Sequence, residues 1–346
     1  MVKKSLSATD PSRHLVKLSQ QVFTEECDRT SFIQTLQHPI SYPPAILWTR
    51  PRPESLPSDL TPLPPLTWQP TWVDRLPLGS RPGAHPLHQS GHFYCLDFSS
   101  IFAISVLGAI PTPVTTLVDL CAAPGGKSLY SWRALQPTTL LCNETVRKRV
   151  KILIANLKRC GVFQAQVFNL DPALWAEHTP HSAQVVVVDA PCSGQSLLAK
   201  GGKVPGCFHP ITTNRNANRQ KRILAGAAQL VAPGGYLVYT TCTYAPAENE
   251  EVGAWLLQRF PEFAPVPVPY LQGFQSALTD LPCYRLWPQS GLGAGSFALL
   301  LHNTQAGQSA SLNTEFLDPR CYRLSPGAPG SGSGDSDPGL DLKIQD

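Results

Sequence analysis

Two cysteines stand directly after candidate strands. Asp189-Ala190-Pro191-Cys192-Ser193-Gly194 leaves an apolar run at 184–189, and Thr240-Thr241-Cys242-Thr243-Tyr244 leaves another at 236–241. In a parallel sheet the carboxyl ends of neighbouring strands open onto one ligand crevice, so both thiols are expected to face it. A single cysteine is usually a small buried hydrophobe, and Cys121, Cys142, Cys160, Cys207, Cys283 and Cys321 are read that way as thiols. For Cys192 and Cys242 the location outweighs that reading. A thiol in such a place suits methylation of a pyrimidine at C5. That carbon is a poor nucleophile until sulfur adds at C6; a base then removes the C5 proton and the thiol is eliminated, so one hard step becomes several easier ones. The attacking thiol must ionise, and an electropositive site lowers its pKa from about 8.5; Lys127 and nearby basic residues offer such a site. Asp189 can hydrogen-bond the N3 and N4 edge of the ring. Only one thiol can attack, the other can assist product release, and the residues alone leave the assignment open.

A methyl donor needs its own site. Leu117-Val118-Asp119-Leu120-Cys121-Ala122-Ala123-Pro124-Gly125-Gly126-Lys127-Ser128 reads as a buried strand, a tight turn and a helix start. Glycines let backbone approach a ligand, and the first N–H groups of a helix have no internal partner. The turn lacks the Gly-x-Gly-x-x-Gly dinucleotide pattern, which disfavours a dehydrogenase, and Ala122 stands where a P-loop has its first glycine. S-adenosylmethionine, a nucleoside without phosphates, fits better. Acids follow successive strands: Asp119; Glu144, placed to hold ribose hydroxyls; Asp171, suited to an adenine amine; and Asp189.

The elements that position these residues alternate. Strands are expected at 117–120, 140–142, 166–169, 184–189 and 236–241, with a later pair at 264–267 and 297–301, and helices separate the first five. That pattern implies a mostly parallel sheet covered on both faces. The helix after the second strand repeats Val146, Val150, Leu153, Ile154 and Leu157 at helical spacing and ends at Gly161. A helix at 101–107 is expected with Ser99 or Ser100 as N-cap, and Phe32, Ile33 and Leu36 indicate a short amphipathic helix before Pro39.

The chain has 346 residues, 42% of them hydrophobic, and a net charge of +4, which fits one large domain and a smaller one and permits a polyanionic partner. Ten scattered cysteines without Cys-x-x-Cys spacing argue against a metal site. With no signal-like or membrane-spanning run, a cytoplasmic protein with free thiols is expected, and a monomer. Many of the 35 prolines lie between 39 and 86, where Trp48, Trp68 and Trp72 sit among Arg50, Arg52, Arg75 and Arg81. Packing of these tryptophans onto the main domain is ranked ahead of stacking on single-stranded nucleic acid. Lys200, Lys203, Arg215, Arg219, Lys221 and Arg222 follow the fourth strand, on the crevice side, and point to an RNA contact; Asn216, Asn218 and Gln220 offer amides for base edges. Residues 1–90 are read as a small N-terminal region that contacts RNA or packs on the main domain, 91–303 as the S-adenosylmethionine-dependent methyltransferase domain and 304–346 as an extension, disordered after about 325.

These motifs together resemble the Sun/Fmu (RsmB/RsmF-like) RNA (cytosine-5)-methyltransferases. The resemblance rests on Asp119–Lys127, Asn143-Glu144, Asp171, Asp189–Gly194, Gln220, Ala232–Cys242, Glu248-Asn249-Glu250-Glu251 and Arg285-Leu286-Trp287-Pro288, with a lead-in at Gly91–Ser100. It implies a Rossmann-like class I fold with a seven-stranded sheet ending in an antiparallel hairpin, and S-adenosylmethionine as cofactor. It implies that Cys242 is the nucleophile, that Cys192 aids release, and that Asp189 and Lys127 belong to the catalytic group. The cofactor positions it implies are Cys121, Ala122, Ala123, Pro124, Gly125, Gly126, Lys127, Glu144, Arg149, Asp171 and Asp189. In DNA cytosine-5 enzymes the Pro-Cys thiol attacks, so the assignment of the two thiols comes from the family. After Gly194 the chain departs from the common pattern, reading Gln195-Ser196-Leu197-Leu198-Ala199-Lys200-Gly201-Gly202; residues 195–213 are expected to belong to a substrate loop of a distinct subgroup. Ribosomal RNA is the first expected substrate and transfer RNA the second. A non-catalytic ribosome-assembly factor, or a methyltransferase for exocyclic amines or protein, would not need two thiols so placed.

Overall fold

The computed structural model describes residues 10–325; the tail expected after about 325 lies outside them. Two helices come first, α1 (Arg13–Val22) and α2 (Glu26–Gln37); α2 is the amphipathic helix expected before Pro39, with Phe32 and Leu36 buried. A three-stranded antiparallel sheet follows, β1 (Ala45–Trp48) at its centre between β2 (Val73–Arg75) and β3 (Phe93–Leu96), with α3 (Pro86–Gln89) in the connection. The expected boundary at residue 90 thus runs between β2 and β3 of one sheet. The packing reading of the tryptophans holds. Trp68 stacks on Phe98, Trp72 meets Tyr130 edge-on, and buried Trp48 donates from Nε1 to Asp74 at 2.7 Å. Nucleic-acid stacking is excluded for Trp48 and Trp68 because their rings are buried.

Next in the chain is α4 (Phe98–Ile104). Its cap is Asp97, whose side chain accepts from Ser99 N, and not Ser99 or Ser100; the carboxylate two residues before Ser99 reaches the free amide of the first turn. Strands and helices then alternate as β4 (Thr116–Asp119), α5 (Gly126–Leu135), β5 (Thr139–Asn143), α6 (Arg147–Arg159), β6 (Ala165–Phe168), α7 (Pro172–His178), β7 (Ala183–Asp189), α8 (Pro210–Leu230) and β8 (Val231–Thr241). After them come α9 (Glu250–Arg259), β9 (Phe263–Pro265), β10 (Cys283–Leu286), β11 (Ser296–Asn303), α10 (Thr314–Leu317) and β12 (Tyr322–Arg323).

The second sheet runs β10-β11-β8-β7-β4-β5-β6-β12, with β9 paired to β11 beyond the end of β10. The five strands β4 to β8 are mutually parallel; β11 inserts antiparallel between β8 and the β9/β10 edge. The sheet has nine strands where seven were expected. The two unforeseen ones are β10, four residues long with an arginine inside it, and β12, whose two residues carry no alternation. Side chains alternate across the sheet. Leu117, Val185, Val187 and Val238 enter one core with α4, α5 and α6, and Val118, Val186, Val188 and Leu237 enter another with α7, α8 and α9. Burial on both faces explains the continuous apolar run of β7.

Candidate active site

Parallel pairing of β7 with β8 sets Asp189 opposite Thr240. The two chains leave the sheet side by side, and their loops are stitched together. Ser196 N donates to Cys242 O at 3.2 Å, Tyr244 N donates to Gln195 Oε1 at 2.9 Å, and Ser193 Oγ meets Thr243 Oγ1 at 2.7 Å. The result brings Cys192 Sγ to 3.2 Å from Cys242 Sγ. Both are free thiols, half-buried, on the wall of one crevice.

The surroundings of the two sulfurs differ. The hydrogen bond from Cys192 lowers the pKa of Cys242, burial and Asp189 oppose this, and Lys127 and a hydrogen bond from Ser196 add to the lowering. Cys192 is pushed up by sharing that bond, by burial, and by the negative charges of Cys242 and Glu248. Lys127 Nζ sits 2.8 Å from Asp189 Oδ2, and Thr240 donates to Asp189 Oδ1 at 2.9 Å. Burial acts to lower the pKa of Lys127, but the Asp189 carboxylate outweighs it and the net shift is upward.

Several residues without an assigned role in the sequence prove to hold these loops. Glu248, fully buried, accepts from Ser193 N at 2.8 Å and from Gln220 Nε2 at 3.0 Å. Asn249 accepts from Thr241 Oγ1 at 2.6 Å and donates to Thr243 O at 2.9 Å, bracing the residues on either side of Cys242. Arg285 of β10 pairs with Glu250 and donates to Tyr244 O at 3.0 Å. The N-terminal helices also reach this site: Phe32 packs edge-on against Tyr244 at 5.0 Å, and α1 and α2 share a core with Leu198, Ala199 and Ala245.

The crevice continues past the tip of β4, with a volume of about 940 Å³. Gly125 at φ +111° makes the turn into α5 in the left-handed region, which favours glycine. At Gly126 a Cβ would lie 2.4 Å from Leu96 Cδ2. Beneath the turn buried Asp119 accepts from Ser128 Oγ at 2.7 Å and from Cys121 N at 3.2 Å. Cys121, Ala123, Lys127, Glu144, Arg149, Asp171 and Asp189 line the crevice. Ala122, Pro124, Gly125 and Gly126 shape the turn: Ala122 N donates to Asn143 O at 2.8 Å and Pro124 O accepts from Asn156 Nδ2 at 2.8 Å. Glu144 at the end of β5 accepts from Val146 N at 2.8 Å and pairs with Arg149 at 3.1 Å. Asp171 caps α7 through Ala173 N. Val146, counted in the apolar stripe of α6, instead precedes that helix, 44% exposed, on the crevice wall. These residues fit S-adenosylmethionine. Acids dominate the cofactor end and Lys127 is engaged by Asp189, a setting that suits a diol, an amine and a cationic sulfur and repels phosphates.

The basic cluster divides. Lys200, Arg219 and Arg222 line the crevice, Lys200 bridging to Asp97 at 3.1 Å. Lys203 and Arg215 are exposed elsewhere, and Lys221 lies over Trp255. Gln220 does not reach outward to a base edge: it is buried and donates to Pro191 O and Glu248. Asn216 donates back to Thr212 O of its own helix. Among the described residues no cluster of three or more potential metal ligands occurs, and no helix is long and apolar enough to cross a membrane.

Comparison with known proteins gives the family and the fold. Ribosomal RNA small subunit methyltransferase F of Escherichia coli K12 is 33% identical over 255 residues, and its Cronobacter sakazakii counterpart 32% over 252, covering 70% of this chain in each case. The chain spans 52% of the length of these curated relatives. Among solved structures, a methyltransferase homologue from Pyrococcus horikoshii superposes with a TM-score of 0.64 at 20% identity, over 84% of this chain and 97% of that one. NSun6 from the same organism gives 0.56 at 22% identity, over 65% and 56%. Both likenesses show a shared Rossmann-like methyltransferase fold. The sequence pattern of the family described as 16S rRNA methyltransferase RsmB/F matches residues 109–302, more than half of the chain and all of β4 to β8, and to that family the chain belongs.

Proposed function

We propose that this protein transfers a methyl group from S-adenosylmethionine to C5 of a cytosine in ribosomal RNA through a covalent cysteine adduct. The observation that carries the reading is the pair of sulfurs 3.2 Å apart, at the carboxyl ends of adjacent parallel strands and in a crevice whose far end carries Glu144 and Asp171. When bound, the cofactor supplies a methyl group on a positively charged sulfur. Glu144 and Asp171 hold its ribose and adenine ends, and the turn from Cys121 to Lys127 lies against it.

Cys242, deprotonated, adds through sulfur to C6 of the cytosine and so makes C5 a nucleophilic carbon. Asp189, oriented by Lys127 and Thr240, takes the amine edge of the ring. After C5 is methylated, a base takes the C5 proton, the freed electron pair closes the C5–C6 double bond, and the C6–S bond breaks with its pair on sulfur, returning the Cys242 thiolate. Cys192 stands close enough to assist that release by handling a proton at Cys242 Sγ. The base must be unpaired or flipped to reach the thiol, and Lys200, Arg219 and Arg222 at the crevice mouth suit the flanking phosphates. A catalytic domain at 91–303 with residues 1–90 supporting its loops, and with 304–346 as an extension, fits this reading.

The test is incubation with radiolabelled S-adenosylmethionine and ribosomal RNA from cells lacking the protein, followed by digestion to nucleosides. Label in 5-methylcytidine is expected. Label in any other nucleoside overturns the proposal.

A further inference from the structure

We infer that Glu248 selects which thiol attacks, its buried carboxylate keeping the shared proton on Cys192 and the negative charge on Cys242. The inference rests on the reading of this pair as the reacting thiols and explains a choice that the two cysteine motifs leave open.

Two thiols 3.2 Å apart share one proton after the first ionisation, and between identical groups nothing fixes its position. The surroundings must decide. Glu248 comes from the short 3₁₀ turn Pro246–Glu248, beyond the Cys242 loop, but its side chain turns back toward the other loop. Oε2 accepts from Ser193 N, the amide directly after Cys192, at 2.8 Å. The same oxygen accepts from Gln220 Nε2, and Gln220 also holds Pro191 O, directly before Cys192, at 3.0 Å. Oε1 faces Thr243 Oγ1 at 3.5 Å. The carboxylate is therefore fastened around Cys192. A negative charge fixed there disfavours a second one on that sulfur.

The opposite side has the opposite sign of help. Lys127 of α5 lowers the pKa of Cys242, and Asp189 of β7 partly offsets it while holding the lysine. Tyr239, fully buried on β8, whose hydroxyl donates to Glu248 O, and Tyr244, also buried, flank the pair, and Lys200, Arg219 and Arg222 line the same crevice. Asp119 lies behind the Lys127–Asp189 pair. Burial raises the Glu248 carboxyl, while donors from Ser193, Gln220 and Thr243 act to keep it ionised. Glu248 is thus a positioning residue acting on Cys242 through Cys192.

The test is limited alkylation of the full chain with iodoacetamide at neutral pH, with label at Cys192 and Cys242 counted by peptide mass spectrometry. In the wild type Cys242 is expected to react about tenfold faster, the ratio given by one pH unit of preference. Glu248→Gln keeps an acceptor for Ser193 N–H but no charge, and is expected to narrow the ratio to about threefold, the part that Lys127 maintains; Glu248→Asp is expected to retain the wild-type ratio. A folded Glu248→Gln protein with the wild-type ratio overturns the inference. Should that variant not fold, the wild type decides alone: equal labelling, or preference for Cys192, overturns it. Because the readout needs neither RNA nor cofactor, a Cys242 preference that Glu248→Gln narrows supports the selector even where no RNA is methylated, and in that case only the cytosine reading falls.

Discussion

Lys127 Nζ lies 2.8 Å from Asp189 Oδ2, and this ion pair ties the glycine turn after β4 to the end of β7. The glycine turn and the end of β7 are therefore not independent parts. A shift in the turn moves the cation that faces Cys242.

Replacing that cation should be felt at the thiol. In Lys127→Met the hydrogen bond from Cys192 still lowers the pKa of Cys242, but Asp189 is left unbalanced and raises it. The midpoint of Cys242 alkylation against pH is expected to rise by about one unit. Turnover at neutral pH should fall more than cofactor affinity. An unchanged midpoint would separate Lys127 from activation of the thiol.

The roles proposed for the two sulfurs give opposite phenotypes. With RNA carrying a 5-substituted cytosine, Cys242→Ala is expected to form no protein–RNA adduct. Cys192→Ala is expected to form it more slowly, since Cys242 loses the hydrogen bond that lowers its pKa, and to retain it, because release is slowed. Denaturing gel electrophoresis reads both results. Turnover by Cys192→Ala at the wild-type rate would contradict the release role.

The parts of the site legible in the sequence are those built locally. Cys121–Ser128, Asp189–Cys192 and Thr241–Cys242 each follow a strand whose apolar pattern marks where it ends, so a crevice position follows from chain order alone. What was hidden depends on partners far along the chain. Arg285 looks like a lone cation in a short apolar run until Glu250, 35 positions earlier, is placed beside it. Gln220 looks like an outward amide on a basic helix until helix packing turns it to Glu248. Phe32 belongs to an amphipathic helix in the sequence, but nothing local shows that its ring meets Tyr244 beside the Cys242 loop.

The Arg285–Glu250 pair makes a prediction about stability. Both side chains are nearly excluded from solvent, at 2% and 7% exposure. Arg285→Ala leaves Glu250 charged and unpaired and removes the donor to Tyr244 O, so a loss of about 3–5 kcal/mol is expected. Arg285→Met with Glu250→Gln removes both charges and should recover much of that loss. Urea unfolding of the two variants measures the difference. Equal destabilisation would show that the loop depends on the donor to Tyr244 and not on charge neutralisation.

Asp119 supplies a pH dependence. Burial pushes its carboxyl up to about 7; Ser128 and the Cys121 amide oppose the rise, Asp189 adds to it and Lys127 opposes it. The unfolded chain releases this proton near 3.8, so between that pH and about 7 the folded state holds the proton more tightly. Proton binding then favours folding, and the contribution is complete at low pH and lost as pH rises through the folded value. Asp119→Asn cannot ionise and can still meet Ser128 through its amide. Its stability relative to wild type should therefore increase between pH 4 and 8, by up to about 4 kcal/mol. Thermal melts at several pH values measure the change. A constant offset between variant and wild type across that range would mean that Asp119 does not titrate there, and that the Ser128 and Cys121 donors hold it ionised throughout.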